Sequence, residues 1–126
     1  MIIGTGIDII EIHRLAKAVE KPAFLQRVYT LAERAYCDSR GGQRIASYAA
    51  RWAAKEAVLK AFGTGLRQGT LLDIEILPDE LGCPKVNLSG YFARLAAEKK
   101  IQTVYVSLSH AQDYAVAQCI MEEAVL

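Results

Sequence analysis

No run of apolar residues in the sequence approaches the roughly 20 that a membrane-spanning helix needs, so no membrane segment is expected. There is no internal repeat, no low-complexity tract and no Pro/Gly/Ser-rich linker among the 126 residues, which leaves a single domain over 1–126 as the expectation. Cysteine is scarce. Cys37, Cys83 and Cys119 are odd in number, form no CxxC, and have no histidine at zinc-like spacing. That excludes a disulfide framework and points to packed thiols in a reducing cytoplasm. The opening MIIGTGIDIIEIHR has no basic n-region and carries an acid inside its apolar stretch, so a signal peptide is not expected. Neither sign of charge dominates: 15 Lys/Arg against 14 Asp/Glu argues against a general nucleic-acid binder.

What is present is a composition able to fold, 52% hydrophobic and 23% charged. Disorder is excluded on that ground. The near-neutral total hides an asymmetry. Residues 1–69 hold 11 Lys/Arg and 6 Asp/Glu, while 70–126 hold 4 and 8. Scatter over solvated helix faces would explain this, and so would an N-terminal half that faces an acidic partner.

The pattern predicts a β-branched strand over 2–10 and a helix from Glu11 to Glu20 that Lys21-Pro22 breaks. Thr30 and Glu33 fit a capping box, so a helix is expected near Leu31, ending at Gly41-Gly42. Gln43 to Phe62 reads as a long alanine-rich helix with an apolar stripe of Ile45, Tyr48, Trp52 and Leu59. Strands are expected over Leu72–Leu77 and Pro84–Leu88, then a helix over Ser89–Lys100 with a serine N-cap. Strands over Thr103–Ser109 and Tyr114–Met121 close the chain as a hairpin. Strands and helices mix without regular βαβ alternation, which favours an α+β fold.

Four places carry possible chemistry. Asp8 shares a strand face with Gly4 and Gly6, while Ile7 and Ile9 point the other way. A half-buried carboxylate there needs a cation, N–H donors or a metal, or else caps the next helix. The two glycines would let a ligand or another chain approach. On the long helix, Glu56 and Lys60 are four residues apart on one face, as in an ordinary stabilising pair. Trp52 on the same stripe suggests a face that is not plainly solvent, where a carboxylate and an ammonium suit a metal–phosphate site. Gly63-Thr64-Gly65 reads as a helix C-cap whose bare backbone a nucleotide could approach. His110 closes Ser107-Leu108-Ser109-His110 on the face of Val104, Val106 and Leu108. Adjacent strand residues face opposite ways, so a Ser109–His110 nucleophile pair is not expected.

The strand GIDIIEIHR, the segment FLQRVYTLAERAYC, the helix RWAAKEAVLKAFGTG and the hairpin SLSHAQDYAVA, in this order and spacing, closely resemble the small bacterial 4′-phosphopantetheinyl transferases known as holo-acyl-carrier-protein synthases. The resemblance spans nearly the whole chain. It implies a 4′-phosphopantetheinyl transferase fold, with one long helix packed on a small, mostly antiparallel sheet, assembled as a homotrimer. It also implies a Mg²⁺-dependent transfer of 4′-phosphopantetheine from coenzyme A to a serine of apo-acyl carrier protein. Adenosine 3′,5′-bisphosphate is released, and the reaction supports fatty acid biosynthesis in the cytoplasm. The family pattern assigns the metal to Asp8 and Glu56 and catalysis to Glu56 and Lys60. It assigns the coenzyme to Arg51, Lys60, Gly63, Gly65, Ser109 and His110, from two chains, and the acidic carrier to Arg14 and Arg27. Lys55 falls beside the phosphate site. One departure stands out: Cys83 precedes Pro84 where family members usually carry a basic residue. A Mg²⁺-dependent nucleotide hydrolase using the same Asp8, Glu56 and Lys60, and a non-catalytic trimeric binding module, are the competing readings.

Overall fold

A computed structural model describes residues 1–125. Its organising element is the helix α4 (Arg44–Phe62), which runs without Gly or Pro and stops where Gly63 takes a left-handed φ of 81°. Fourteen of its 19 residues are buried. The expected stripe of large side chains is therefore too narrow a description. Tyr48 and Leu59 are buried and Ile45 and Trp52 half-buried, but alanines cover most of the remaining surface, and small side chains let neighbours close on it from several sides.

One of those neighbours is a three-stranded antiparallel sheet in the order β1 (Ile2–Glu11), β5 (Tyr114–Glu123), β4 (Ile101–His110). Its inner face sets Gly6 opposite Cys119 and Asp8 opposite Ala117, and Leu108 flanks Ala117 from the other side. Gly4 and Gly6 lie directly under α4. A Cβ on Gly6 would collide with the carbonyl of Ala57 and stand 2.9 Å from the Ala61 nitrogen, and one on Gly4 would meet the Ala61 carbonyl. The space these glycines leave is thus filled by the protein's own helix, not held open for a ligand or another chain.

A second, two-stranded antiparallel hairpin, β2 (Ile74–Pro78) and β3 (Pro84–Leu88), lies beside β4 without being hydrogen-bonded into this sheet. Three short helices precede α4: α1 (Ile12–Ala18), α2 (Pro22–Val28) and α3 (Leu31–Asp38). Pro22 not only ends the first helical stretch but begins the next, at a position where its missing N–H costs nothing. α3 opens with the expected capping box between Thr30 and Glu33. The last helix, α5 (Gly90–Glu98), begins after Ser89, but the serine side chain makes no cap; the Tyr91 N–H donates instead to the Asp73 carboxylate at 3.2 Å.

The side chains of α3, α4 and β2 meet at a buried ion pair. Glu33 and Lys55 are both completely inaccessible and lie 2.8 Å apart. The Glu33 carboxylate also accepts the Ile76 N–H at 2.8 Å, and the Lys55 ammonium donates to the carbonyls of Leu71 and Ile74. Lys55 therefore does not lie beside a phosphate site. Its stem runs into the core, and its charge is spent on binding helix to hairpin.

Candidate active site

Asp8 leaves the sheet on the face that α4 covers, near the free edge of β1. From the last turn of α4, Lys60 reaches over that edge. Its Nζ donates to the Ile7 carbonyl at 2.9 Å and to Asp8 Oδ1 at 3.1 Å. The Asp8 side chain is 17% exposed and that of Lys60 54%, so the pair joins a half-sheltered anion to a half-exposed cation. Glu56, one turn earlier on the same helix face, is half-buried. Burial pushes its carboxyl above the usual 4.5, the Asp8 charge pushes it further, and Lys60 partly opposes both. Two carboxylates, one near enough for its charge to push the Glu56 carboxyl up, with one half-exposed ammonium beside them, make a hard-oxygen site deficient in positive charge.

Glu56, Leu59, Lys60, Gly63, Gly65 and Leu66 line a cavity of about 370 Å³. A side chain at Gly63 or Gly65 would meet nothing within 4 Å, so bare backbone is open to a ligand just beyond Lys60. The C-cap reading of this glycine turn and its reading as a place of approach are therefore compatible. Asp8, Glu56, Lys60, Gly63 and Gly65 gather in one place.

The other sequence candidates do not join them within one chain. Ser109 pairs with Val116 on the outer face of the sheet, the opposite side from Asp8. His110 lies exposed at the end of β4, on the inner-face parity expected for it. Arg51 lies five residues before Glu56, about 140° around the helix, and is only 7% exposed. Its guanidinium stacks 4.5 Å from the centre of the Tyr36 ring, and its Nε is the buried side-chain nitrogen left without a hydrogen-bond partner among the described residues. Arg14 on α1 and Arg27 on α2 are exposed and have no ion-pair partner among the described residues.

Cys37 and Cys119 are buried, with burial pushing both thiols up to about 12, as packed cysteines should be. Cys83 is exposed at the foot of β3. It opens a groove of about 630 Å³ that runs between Pro84–Val86 and the β4 edge. Residue patterning does not mark this groove; it arises where the edges of β3 and β4, from two different sheets, approach one another, which only the tertiary structure reveals. No helix of the described residues is long and apolar enough to cross a membrane.

The family model of the 4′-phosphopantetheinyl transferase superfamily matches residues 4–119. A holo-acyl-carrier-protein synthase of Alkaliphilus metalliredigens is 46% identical over 121 residues, covering 95% of this chain and 98% of the relative. The crystal structure of the holo-acyl-carrier-protein synthase from Neisseria meningitidis superposes with a TM-score of 0.89 at 32% identity, over 98% of this chain and all of that one. The Bacillus anthracis enzyme, solved in complex with coenzyme A (3′,5′-ADP), superposes at 0.82 with 36% identity, over 98% of this chain and 99% of that one.

Proposed function

The chain belongs to the 4′-phosphopantetheinyl transferase superfamily, and from that premise we propose how its residues carry out the transfer. The reaction moves 4′-phosphopantetheine from coenzyme A to a serine of apo-acyl carrier protein. The serine oxygen bonds to the phosphorus that bears pantetheine. The bond from that phosphorus to the bridging oxygen breaks, and adenosine 3′,5′-bisphosphate leaves with the electron pair. Charge therefore builds on the phosphates, and a proton must leave the serine.

The observation that carries the site assignment is that Glu56 and Lys60 line one open cavity with Gly63 and Gly65, while Asp8 meets Lys60 at 3.1 Å and acts electrostatically on Glu56. Asp8 and Glu56 would hold Mg²⁺: both offer hard oxygens, and their mutual repulsion is what a divalent cation relieves. When bound, Mg²⁺ supplies positive charge against the coenzyme's pyrophosphate. Lys60, on a flexible and half-exposed stem, holds the same phosphates and steadies the departing bisphosphate. Glu56 accepts the serine proton, directly or through one water, a role its raised carboxyl suits. Gly63 and Gly65 give the coenzyme close access to the backbone.

Ser109 and His110 reach this cavity only from another copy of the chain. The outer face of the sheet supports such an assembly, since Ile7 and Ile9 are 61% and 62% exposed beside Tyr105 and Tyr114. We infer a homotrimer of single-domain chains, 1–126, in which His110 donates to a coenzyme phosphate and Ser109 lines the same ligand. Arg51, buried against the Tyr36 ring on another side of α4, does not reach this cavity within one chain. Arg14 and Arg27 meet the acidic carrier. Free thiols are consistent with work in the cytoplasm, where the holo-carrier would serve fatty acid synthesis.

Incubation with coenzyme A, Mg²⁺ and apo-acyl carrier protein tests the reading. The carrier should gain about 340 Da, the mass of the phosphopantetheine adduct. Coenzyme cleavage without any gain on the carrier would point to a hydrolase that uses water as acceptor.

A further inference from the structure

Lys60 stands where a cation belongs. Its ammonium carries three donors; one serves the Ile7 carbonyl and one Asp8 Oδ1. Asp8 has no other ion-pair partner among the described residues, and it is sheltered enough to need one. A carboxylate oxygen that accepts from an ammonium at 3.1 Å cannot also hold a divalent metal at about 2.1 Å without setting two cations side by side. The lysine stem is half-exposed, so nothing holds the ammonium in place except these two oxygens.

We propose that Lys60 is an internal place-holder for the divalent cation: it neutralises Asp8 in the metal-free protein, and metal binding displaces its ammonium from the carboxylate into the cavity. This rests on the assignment of Asp8 and Glu56 as metal ligands. It gives one residue two successive positions, first on Asp8 and then on the coenzyme phosphates. It also couples the two events, because the lysine is free to engage phosphate only once Asp8 has another cation. The cost of losing the lysine contact is set against every metal binding event, so affinity for metal in the absence of coenzyme is held down.

The test measures Mn²⁺ binding to the metal-free protein, without coenzyme A, by the electron paramagnetic resonance of free Mn²⁺. Lys60→Met should bind Mn²⁺ about two- to fivefold more tightly than the wild type, the scale of one partly exposed ion pair. Lys17→Met removes the same charge from exposed α1 and should leave affinity unchanged. Asp8→Asn should abolish the site. The rise in thermal midpoint at a fixed Mg²⁺ concentration should also be larger for Lys60→Met than for the wild type. Equal or weaker binding by Lys60→Met overturns the place-holder role while leaving the ligand assignment standing. An equal gain in Lys17→Met also overturns it, by reducing the effect to net charge. A wild-type protein with no Mn²⁺ site sensitive to Asp8→Asn overturns the ligand assignment and the proposal together.

Discussion

Gly6 and Asp8 sit two residues apart on one face of β1 and do different work for the same reason: α4 lies on that face. Gly6 lets the helix backbone come close, and Asp8, just beyond the contact, is left facing the last turns of the helix, where Lys60 finds it. The alternation of the strand was legible from the sequence, and so was the partial burial of Asp8, although α4 provides it and the flanking isoleucines lie exposed on the other face. The use of the glycines was not. A bare backbone signals close approach, but strand periodicity does not say whether the approaching body is a ligand, another chain or the protein's own helix. Gly6→Ala measures this directly. The added methyl has backbone atoms of α4 on the far side, which cannot swing away as a side chain would. The substitution should cost about 3 kcal/mol or more in urea unfolding. A cost within a few tenths would mean that the helix can shift, and that the glycine is not there for packing.

At the scale of elements, α4 was the most legible part of the chain and the most misleading. Its length, its alanine content and its glycine stop are plain in the sequence. Alanine, however, has no side-chain direction to betray burial, so the stripe of larger residues understates how much of the helix is covered, and Lys55, which the family resemblance sets beside the phosphate site, points into the core instead. The capping box of α3 was visible, but one carboxylate serving both as cap and as counter-ion 22 residues away in sequence was not, because ion pairs at that separation leave no periodic trace. The Glu33–Lys55 pair now predicts a double-mutant cycle. Glu33→Gln and Lys55→Met should each destabilise by about 3–5 kcal/mol, since each strands a buried charge. The double variant should lose clearly less than the sum, because neither charge is then left alone. Strict additivity in urea melts would show that the two side chains do not sense one another. The same interaction fixes α4 against β2, and so holds the helix that presents Glu56 and Lys60.

Over the whole molecule, the charge asymmetry takes a narrower meaning than composition allowed. Two of the N-terminal half's positive charges, Arg51 and Lys55, are buried, and only the exposed ones such as Arg14 and Arg27 are available to an acidic protein. The sheet has one face against α4 and one face rich in exposed isoleucine and tyrosine, which fits a shared interface better than solvent. Sedimentation equilibrium should give three chain masses for the wild type and a smaller species for Ile9→Glu, which buries a charge at that interface. A monomeric wild type would leave Ser109 and His110 outside the site. Phosphoryl transfer, as proposed, falls to Glu56 and Lys60 in the cavity and to Asp8 beside it. The most direct measurement is the rate at which apo-acyl carrier protein gains phosphopantetheine with saturating coenzyme A and Mg²⁺, followed by mass spectrometry for the wild type, Glu56→Ala and Lys60→Ala. Each variant should turn over at least about a hundredfold more slowly while staying folded; turnover at the wild-type rate in both would contradict the account.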